Sequence, residues 1–381
     1  MITLALSLSS LLLPPMNPLH ADHGAPVPTQ SNYWTRAAEP ITPSIGENHL
    51  RNIRQLTFGG QNAEAYWSAD GNQIIYQTRQ PEFPDEQIVI MNADGSGKRL
   101  VSTGQGRCTC SYWTPDGKWL YFSSTHDKNK GAQPPIDHSQ GYVWMVNPQF
   151  SLYRMPINQV PTLADFLSRI PTTGINPVTP ELVLDKGGYV AETTISPDGK
   201  TMFFTGNFEG DLEIYRADLN GKNIRKLTND VGYDGGPFIS WDGKSVVYRR
   251  GIMNSEKDVT DYQALLSKNM VRPSKLEIWL MDSFGNNKRQ VTTMNAASFA
   301  PFLHPDNKRI IFSSNFGDKK GREFELWMIR TDGSHLERVT RTADFDGFPM
   351  FSRDGKKVVW ASNRNGSVRG ETNIFIADWV D

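Results

Sequence analysis

The chain has 381 residues, of which 38% are hydrophobic and 11% aromatic, including 10 Trp and 12 Tyr. This is ample material for a core of flat, strand-favouring side chains, and it excludes general disorder. Lys and Arg number 40 against 41 Asp and Glu, a formal charge of −1, and no basic stripe follows the chain, which argues against nucleic acid as a partner.

Residues 1–13 form an apolar run without a basic residue at its start, followed by Pro14, Pro15 and the small Ala21. The pattern predicts a secretory signal over residues 1–21, and hence a periplasmic or otherwise exported protein. No later stretch reaches the ~20 apolar residues that span a bilayer. Residues 22–48, with Pro26, Pro28, Pro40 and Pro43 among polar residues, read as a linker without a core of its own.

From there one line recurs six times, at 65–71, 111–117, 193–199, 237–243, 301–307 and 349–355. Its form is aromatic-x-Ser-x-Asp-Gly, as in Tyr66-Trp67-Ser68-Ala69-Asp70-Gly71. Each copy runs into a short apolar strand such as Ile74-Ile75-Tyr76 or Val358-Val359-Trp360. Asp-Gly between two such runs is a tight hairpin. A third strand follows, seen in Glu213-Ile214-Tyr215 and Glu325-Leu326-Trp327, then a second turn and a fourth strand such as Arg225-Lys226-Leu227-Thr228. Four antiparallel strands repeated six times predict an all-β, six-bladed β-propeller over residues 49–381, acting as a monomer. The last copy ends after its third strand at Trp379-Val380-Asp381, while an unattached fourth strand stands at Asn52-Ile53-Arg54-Gln55-Leu56-Thr57. The ring is therefore expected to close by an amino-terminal strand that completes the last blade.

Alternation of turns assigns the loops to faces. The Asp-Gly hairpins share one face, so the insertions 125–149 and 249–276 and the loops 314–323 and 362–372 share the other, around the channel mouth. Long loops clustered on a rigid scaffold mark a binding face. Residues 258–271 predict a short helix capped by Asp258 or Thr260, with Tyr262, Leu265, Leu266 and Met270 on the face that packs against the propeller. Residues 162–170 open with a Thr162-x-x-Asp165 capping box and belong to the hairpin face.

Glu64, Cys108, Cys110, Glu192, Asp234 and Asp346 stand just before the innermost strands, where the repeat brings them toward the channel mouth. Glu64, Glu192, Asp234 and Asp346 together would offer oxygen ligands to Ca2+ or another divalent cation, although no loop-type calcium motif is present and bonding to inter-blade backbone is the competing role. His126 and His138, beside Asp127 and Asp137, offer a ligand or a base. In an extended strand Cys108 and Cys110 point to one side, too far apart for an unstrained disulfide. A turn would permit a bridge, which an oxidising compartment favours over metal binding. Trp34, Tyr112, Tyr142, Trp144 and Tyr233 are candidates for stacking sugar rings, against a core role. No Gly-x-Ser-x-Gly elbow, phosphate-binding glycine loop or His-Glu-x-x-His is present.

The recurring Ser-Pro-Asp-Gly-Lys line, then Glu-Ile-Trp or Glu-Ile-Tyr, then Asp-Gly-Ser with a basic residue and Leu-Thr or Val-Thr, resembles the propeller repeat of the TolB family over about residues 52–381. Similar repeats occur in the propeller domains of tricorn-like and prolyl-oligopeptidase-type proteases. The resemblance implies a periplasmic protein that docks on envelope partners, here an envelope protein or a peptidoglycan-associated partner; beyond the divalent cation considered above, no cofactor is expected to be required. Two features depart from the family: little chain precedes residue 52 where TolB carries an α/β domain, and two long insertions interrupt the blades. The expected function is binding or scaffolding through the loop-rich face, the alternative being a carbohydrate- or peptide-active lyase or hydrolase with a channel-rim site.

Overall fold

The computed structural model describes residues 33–136, 139, 141–162, 165, 168, 179–343 and 345–381. In five of its six copies the recurring Ser/Thr-x-Asp-Gly line closes the first hairpin by the same bonds. The hydroxyls of Ser68, Thr114, Ser196 and Ser352 donate to the aspartate two residues on at 2.6 Å. The same oxygens accept the N–H of the next strand's first residue, from Gln73, Trp119, Thr201 and Lys357. The turn glycines sit at positive φ, 72° at Gly71 and 68° at Gly117, where a Cβ would be strained. In the fifth copy Asn307 takes that conformation, and His304 replaces the serine by accepting the Asp306 N–H at 3.1 Å.

Six four-stranded antiparallel blades follow. Blade 1 is Gln61–Trp67, Gln73–Arg79, Gln87–Asn92 and Arg99–Leu100. Blade 2 is Cys108–Trp113, Trp119–Ser124, Ser151–Pro156 and Glu181–Leu184. Blade 3 is Val190–Ile195, Thr201–Gly206, Glu213–Asp218 and Arg225–Lys226. Blade 4 is Asp234–Ile239, Ser245–Gly251, Leu276–Asp282 and Arg289–Gln290. Blade 5 is Ser298–Leu303, Arg309–Ser314, Glu325–Arg330 and Glu337–Arg338. The last, blade 6, takes three strands from the carboxy terminus, Asp346–Phe351, Lys357–Ser362 and Asn373–Trp379, and its fourth from Leu50–Gln55.

The Glu-Ile and Leu-Thr signatures are two halves of one device that pins the outer strand of a blade. The threonine or serine hydroxyl after the fourth strand accepts the third-strand N–H, in the pairs Ile88–Ser102, Ile214–Thr228, Ile278–Thr292 and Leu326–Thr340, at 2.8–2.9 Å. In blade 6 the partners come from opposite ends of the chain: the Ile374 N–H donates to Thr57 Oγ1 at 2.8 Å. The expected closure thus holds, with Thr57 in the role of Thr228 or Thr340. Gly59 N–H to Glu371 Oε1 at 2.8 Å and Asn62 N–H to the Thr372 carbonyl at 2.9 Å then tie blade 1 to blade 6.

Part of the segment expected as a linker packs on the propeller. Glu39–Pro40 adds a fifth strand outside Leu50–Gln55. Tyr33 and Trp34 are buried against blade 1, where the Tyr33 hydroxyl bonds Asn62, Tyr76 and Thr78. Buried Glu47 pairs with Arg364 at 2.9 Å. Aromatic side chains, rather than the prolines that suggested a linker, decide where these residues go.

The two insertions meet. Trp144–Met145, from the blade 2 insertion, pairs antiparallel with Met270–Val271, from the blade 4 insertion. Helix α1 spans Glu256–Leu266, not 258–271. It starts earlier because the Ser255 hydroxyl accepts the Asp258 N–H, and it stops before Met270 because that residue is needed in the strand pair. Tyr262 is buried in a cluster with Tyr189 and Leu212 of blade 3, as expected, and its hydroxyl bonds Asp211, whereas Leu265 packs with Val143 and Met270 of the insertions. The Thr162–Asp165 capping box is formed reciprocally, at 3.1 and 3.3 Å. The rest of its expected helix, apart from Ser168, lies outside the described residues. Among the described residues no helix is long and apolar enough to cross a membrane.

Closure makes two predictions for urea denaturation. Thr57→Val strands the buried Ile374 N–H and should cost about 1–3 kcal/mol, whereas Thr57→Ser should be near neutral. Deleting 49–57 should lower the midpoint far more than Thr57→Val; an unchanged curve would contradict the closure.

Candidate functional site

Every innermost strand slips register at the same place, by a bulge after its first pairs. The bulged residues Glu64, Cys110, Glu192, Gly236, Ala300 and Phe348 all have positive φ, between 48° and 59°. All six face one channel cavity. Half of the ring is polar, Glu64, Cys110 and Glu192, and half is not. Two residues further along, Tyr66, Tyr112, Phe238 and Phe302 pack with ring centroids 5.3–6.0 Å apart and close the channel toward the hairpin face. On the mouth side Trp144, Val146, Phe150 and Val271 of the paired insertions lie over the ring. Two cavities remain, of about 40 and 80 Å3, sharing Glu64, Cys110, Glu192, Arg249 and Phe348. They have room for a few water molecules.

Glu192 is fully satisfied. It pairs with Arg249 and accepts from Tyr233 Oη at 3.0 Å, Thr205 Oγ1 at 2.7 Å and Gly236 N–H at 2.8 Å. Burial works to raise its pKa, but the Arg249 charge and these bonds outweigh it and hold the carboxyl below its usual range. Arg249 also lies over the rings of Tyr233, at 4.5 Å, and Trp144, at 5.5 Å. Glu64 has no such cation. Burial, with the Glu192 charge adding to it, lifts its pKa from 4.5 to about 7 despite the neighbouring Cys110 thiol. Around neutrality this carboxyl is therefore partly protonated where it faces the water-sized cavity. Burial pushes the Cys110 thiol well up, so it is no thiolate nucleophile.

The remaining candidates are elsewhere. Cys108, Asp234 and Asp346 are the first residues of their strands, one turn of the pleat before the bulge, and are buried inside the blades. Asp346 accepts from Trp360 Nε1 at 3.0 Å and pairs with Arg364 at 3.0 Å, which holds its carboxyl low against the opposing effect of burial. Asp234 has Arg250 at 3.8 Å, and burial pushes its carboxyl well up. The four carboxylates do not converge, because the bulge turns only Glu64 and Glu192 to the axis. Among the described residues no three His, Cys, Asp or Glu side chains are grouped to hold a metal ion. The same bulge separates the cysteines, both free: Cys108 Sγ lies 3.2 Å from Ser124 Oγ, while Cys110 joins the ring. His126 is buried in blade 2, with Nδ1 at 2.7 Å from Ser124 Oγ and its ring on Tyr153, and it lines neither cavity. His138 lies outside the described residues. Trp34, Tyr112, Trp144 and Tyr233 are engaged in packing, and the Tyr142 hydroxyl accepts from Trp144.

Arg249 is the residue that motif reading passes over. Its counterparts facing the same ladder position are Gln77, Ser123, Thr205, Ser313 and Ala361. One charged residue in that column, opposite Gly235-Gly236, is the signal. A Cβ at Gly236 would overlap the Arg249 guanidinium, so the glycine makes the pocket that Arg249 fills.

No family model matches the chain. An uncharacterized protein of Agrobacterium fabrum is 29% identical over 218 residues, covering 54% of this chain and 65% of the relative. Dipeptidyl-peptidase 5 of Porphyromonas endodontalis is 26% identical over 213 residues, covering 51% of this chain and 30% of that enzyme. The match therefore spans less than two thirds of either relative. Among solved structures, a TolB-type protein from Agrobacterium tumefaciens superposes with a TM-score of 0.52 at 16% identity, covering 84% of this chain and 91% of that one. A gluconolactonase from Xanthomonas campestris gives 0.53 at 10% identity, with coverages of 90% and 95%. At these identities the likeness establishes the propeller fold. That fold serves both proteins, so it does not select an activity.

Two predictions follow from the ring. Arg249→Met leaves Glu192 buried without its cation and should cost about 3–5 kcal/mol in urea denaturation, part of which Glu192→Gln should restore in the double variant. A carboxyl whose folded pKa is raised binds extra protons in the native state, so the Glu64 contribution to stability declines as pH rises from 4.5 to about 7. The stability of Glu64→Gln relative to wild type should therefore grow across that window; a pH-independent difference would contradict the placement of Glu64.

Proposed function

We propose that this is an exported, TolB-like propeller that binds an envelope protein through its loop-rich mouth face, with residues 1–21 as its export signal and 49–381 as its binding domain. The observation that carries this reading is the double closure of the channel, by the aromatic layer on one side and the paired insertions on the other. A channel left with water-sized cavities has no room for a saccharide or peptide, which moves recognition to the surface. The mouth face supplies that surface: its loops expose Phe316 and Val368, at 39% and 40%. The TolB-like repeat lines support the same reading, since the family they resemble docks on envelope partners. A channel-rim enzyme is the second reading, favoured by the near-neutral titration of Glu64.

A photocrosslinking residue placed at Phe316 or Val368 in the exporting host should give a discrete adduct with an envelope protein. The same residue at Phe284 or Leu336, exposed on the hairpin face, should not. The adduct should persist in Glu64→Gln. Equal labelling from both faces, or an adduct lost with Glu64→Gln, would sink the binding reading.

A further inference from the structure

Outside the channel, a groove of about 570 Å3 lies on the mouth face, between the blade 4 insertion and the loops of blade 5. Its apolar wall includes Tyr142, Pro273, Met294 and Phe316. Its rim carries Arg272, Lys319 and Lys320, and Asp318 is the one described carboxylate lining it. The Asp318 carboxylate is turned into its own loop, where it accepts the N–H groups of Lys320 at 3.1 Å, Arg322 at 2.6 Å and Glu323 at 3.1 Å. It orders the loop and offsets the Lys320 charge in part, which leaves three cations against one carboxylate along the groove. Lys319 and Lys320 are exposed and have no ion-pair partner among the described residues. Arg272 is held in place by Asp261 at 3.1 Å. The loop is further fixed to the neighbouring strand, since Asn315 accepts the Ala297 N–H at 2.8 Å and donates to the Gly321 carbonyl at 3.1 Å. The result is a preformed groove, apolar along its wall and positive at its rim, in a chain whose formal charge is only −1. The positive charge is local to the groove rather than a property of the whole surface.

We propose that this groove docks an extended acidic segment of a protein partner, with apolar side chains against Tyr142 and Phe316 and carboxylates on Lys319 and Lys320. Complementary charge sets register and on-rate, while the apolar wall supplies the contact area. The proposal rests on the mouth-face reading above and names the chemistry of the partner.

The test uses a fluorescein-labelled peptide of alternating glutamate and leucine, titrated with the full chain and followed by fluorescence anisotropy. Saturable binding that weakens with added salt is expected. Lys319→Glu with Lys320→Glu should weaken it by about tenfold or more, from two lost attractions and two new repulsions. Phe316→Ala should weaken it without changing the salt dependence. Lys118→Glu with Lys200→Glu, on the hairpin face, should leave it unchanged, as should melting temperatures across the set. A lysine–leucine peptide should not bind. Absence of saturable binding, equal loss in the hairpin-face variant, or equal affinity for oligothymidylate would overturn the proposal. If adducts from Phe316 and Val368 persist while the acidic peptide fails to bind, the mouth-face reading stands and this inference falls.

Discussion

Six four-stranded sheets set around an axis leave an exposed edge on the last blade unless a strand is borrowed from the other end of the chain. Here Leu50–Gln55 supplies that strand. Its register is fixed by the Thr57 hydroxyl, which takes the Ile374 N–H as the threonine or serine of blades 1, 3, 4 and 5 takes its own. Everything else in the molecule presupposes this join. The packed segment 33–48 lies along it, and Glu47 reaches Arg364 and, through it, Asp346 at the start of blade 6. The channel ring exists only if the first and last innermost strands, carrying Glu64 and Phe348, are held side by side.

A closed ring of near-identical blades would be symmetric, and its departures from symmetry mark where the chain has been specialised. All six innermost strands share the bulge, so the backbone treats the blades alike. The side chains do not: acids and a thiol on one arc face Gly236, Ala300 and Phe348 on the other. Arg249 occupies the gap left by Gly235 and Gly236 and neutralises Glu192, leaving Glu64 as the ring carboxyl without a cation. The insertions break symmetry again, by crossing from blade 2 and blade 4 to pair above the ring. These asymmetries close the interior and leave the mouth-face groove as the open surface.

The fold was legible because its signals are local and repeated. Ser-x-Asp-Gly specifies a hairpin through bonds within six residues, and the displaced Asn52–Thr57 line announces the join by its likeness to Asn223–Thr228. The site was legible only in part. Glu64, Cys110 and Glu192 line one cavity, but Cys108, Asp234 and Asp346 read alike in sequence because a two-residue offset in a strand does not reveal a bulge. That bulge is a positive-φ residue with no glycine to announce it in five of six blades. The cap was invisible for a different reason: a strand of two residues, paired across more than a hundred positions, leaves no pattern in either insertion.

Recognition at the mouth face requires a closed cap, since an open channel would return the working site to Glu64. Hydrogen–deuterium exchange reads this directly at Val146, whose N–H donates to the Asn269 carbonyl at 2.8 Å beneath the paired insertions. With the cap closed, peptides spanning 143–150 and 268–272 should exchange nearly as slowly as the blade strands around them. Exchange of both peptides at the rate of exposed loops, with the blades still protected, would contradict the closed cap.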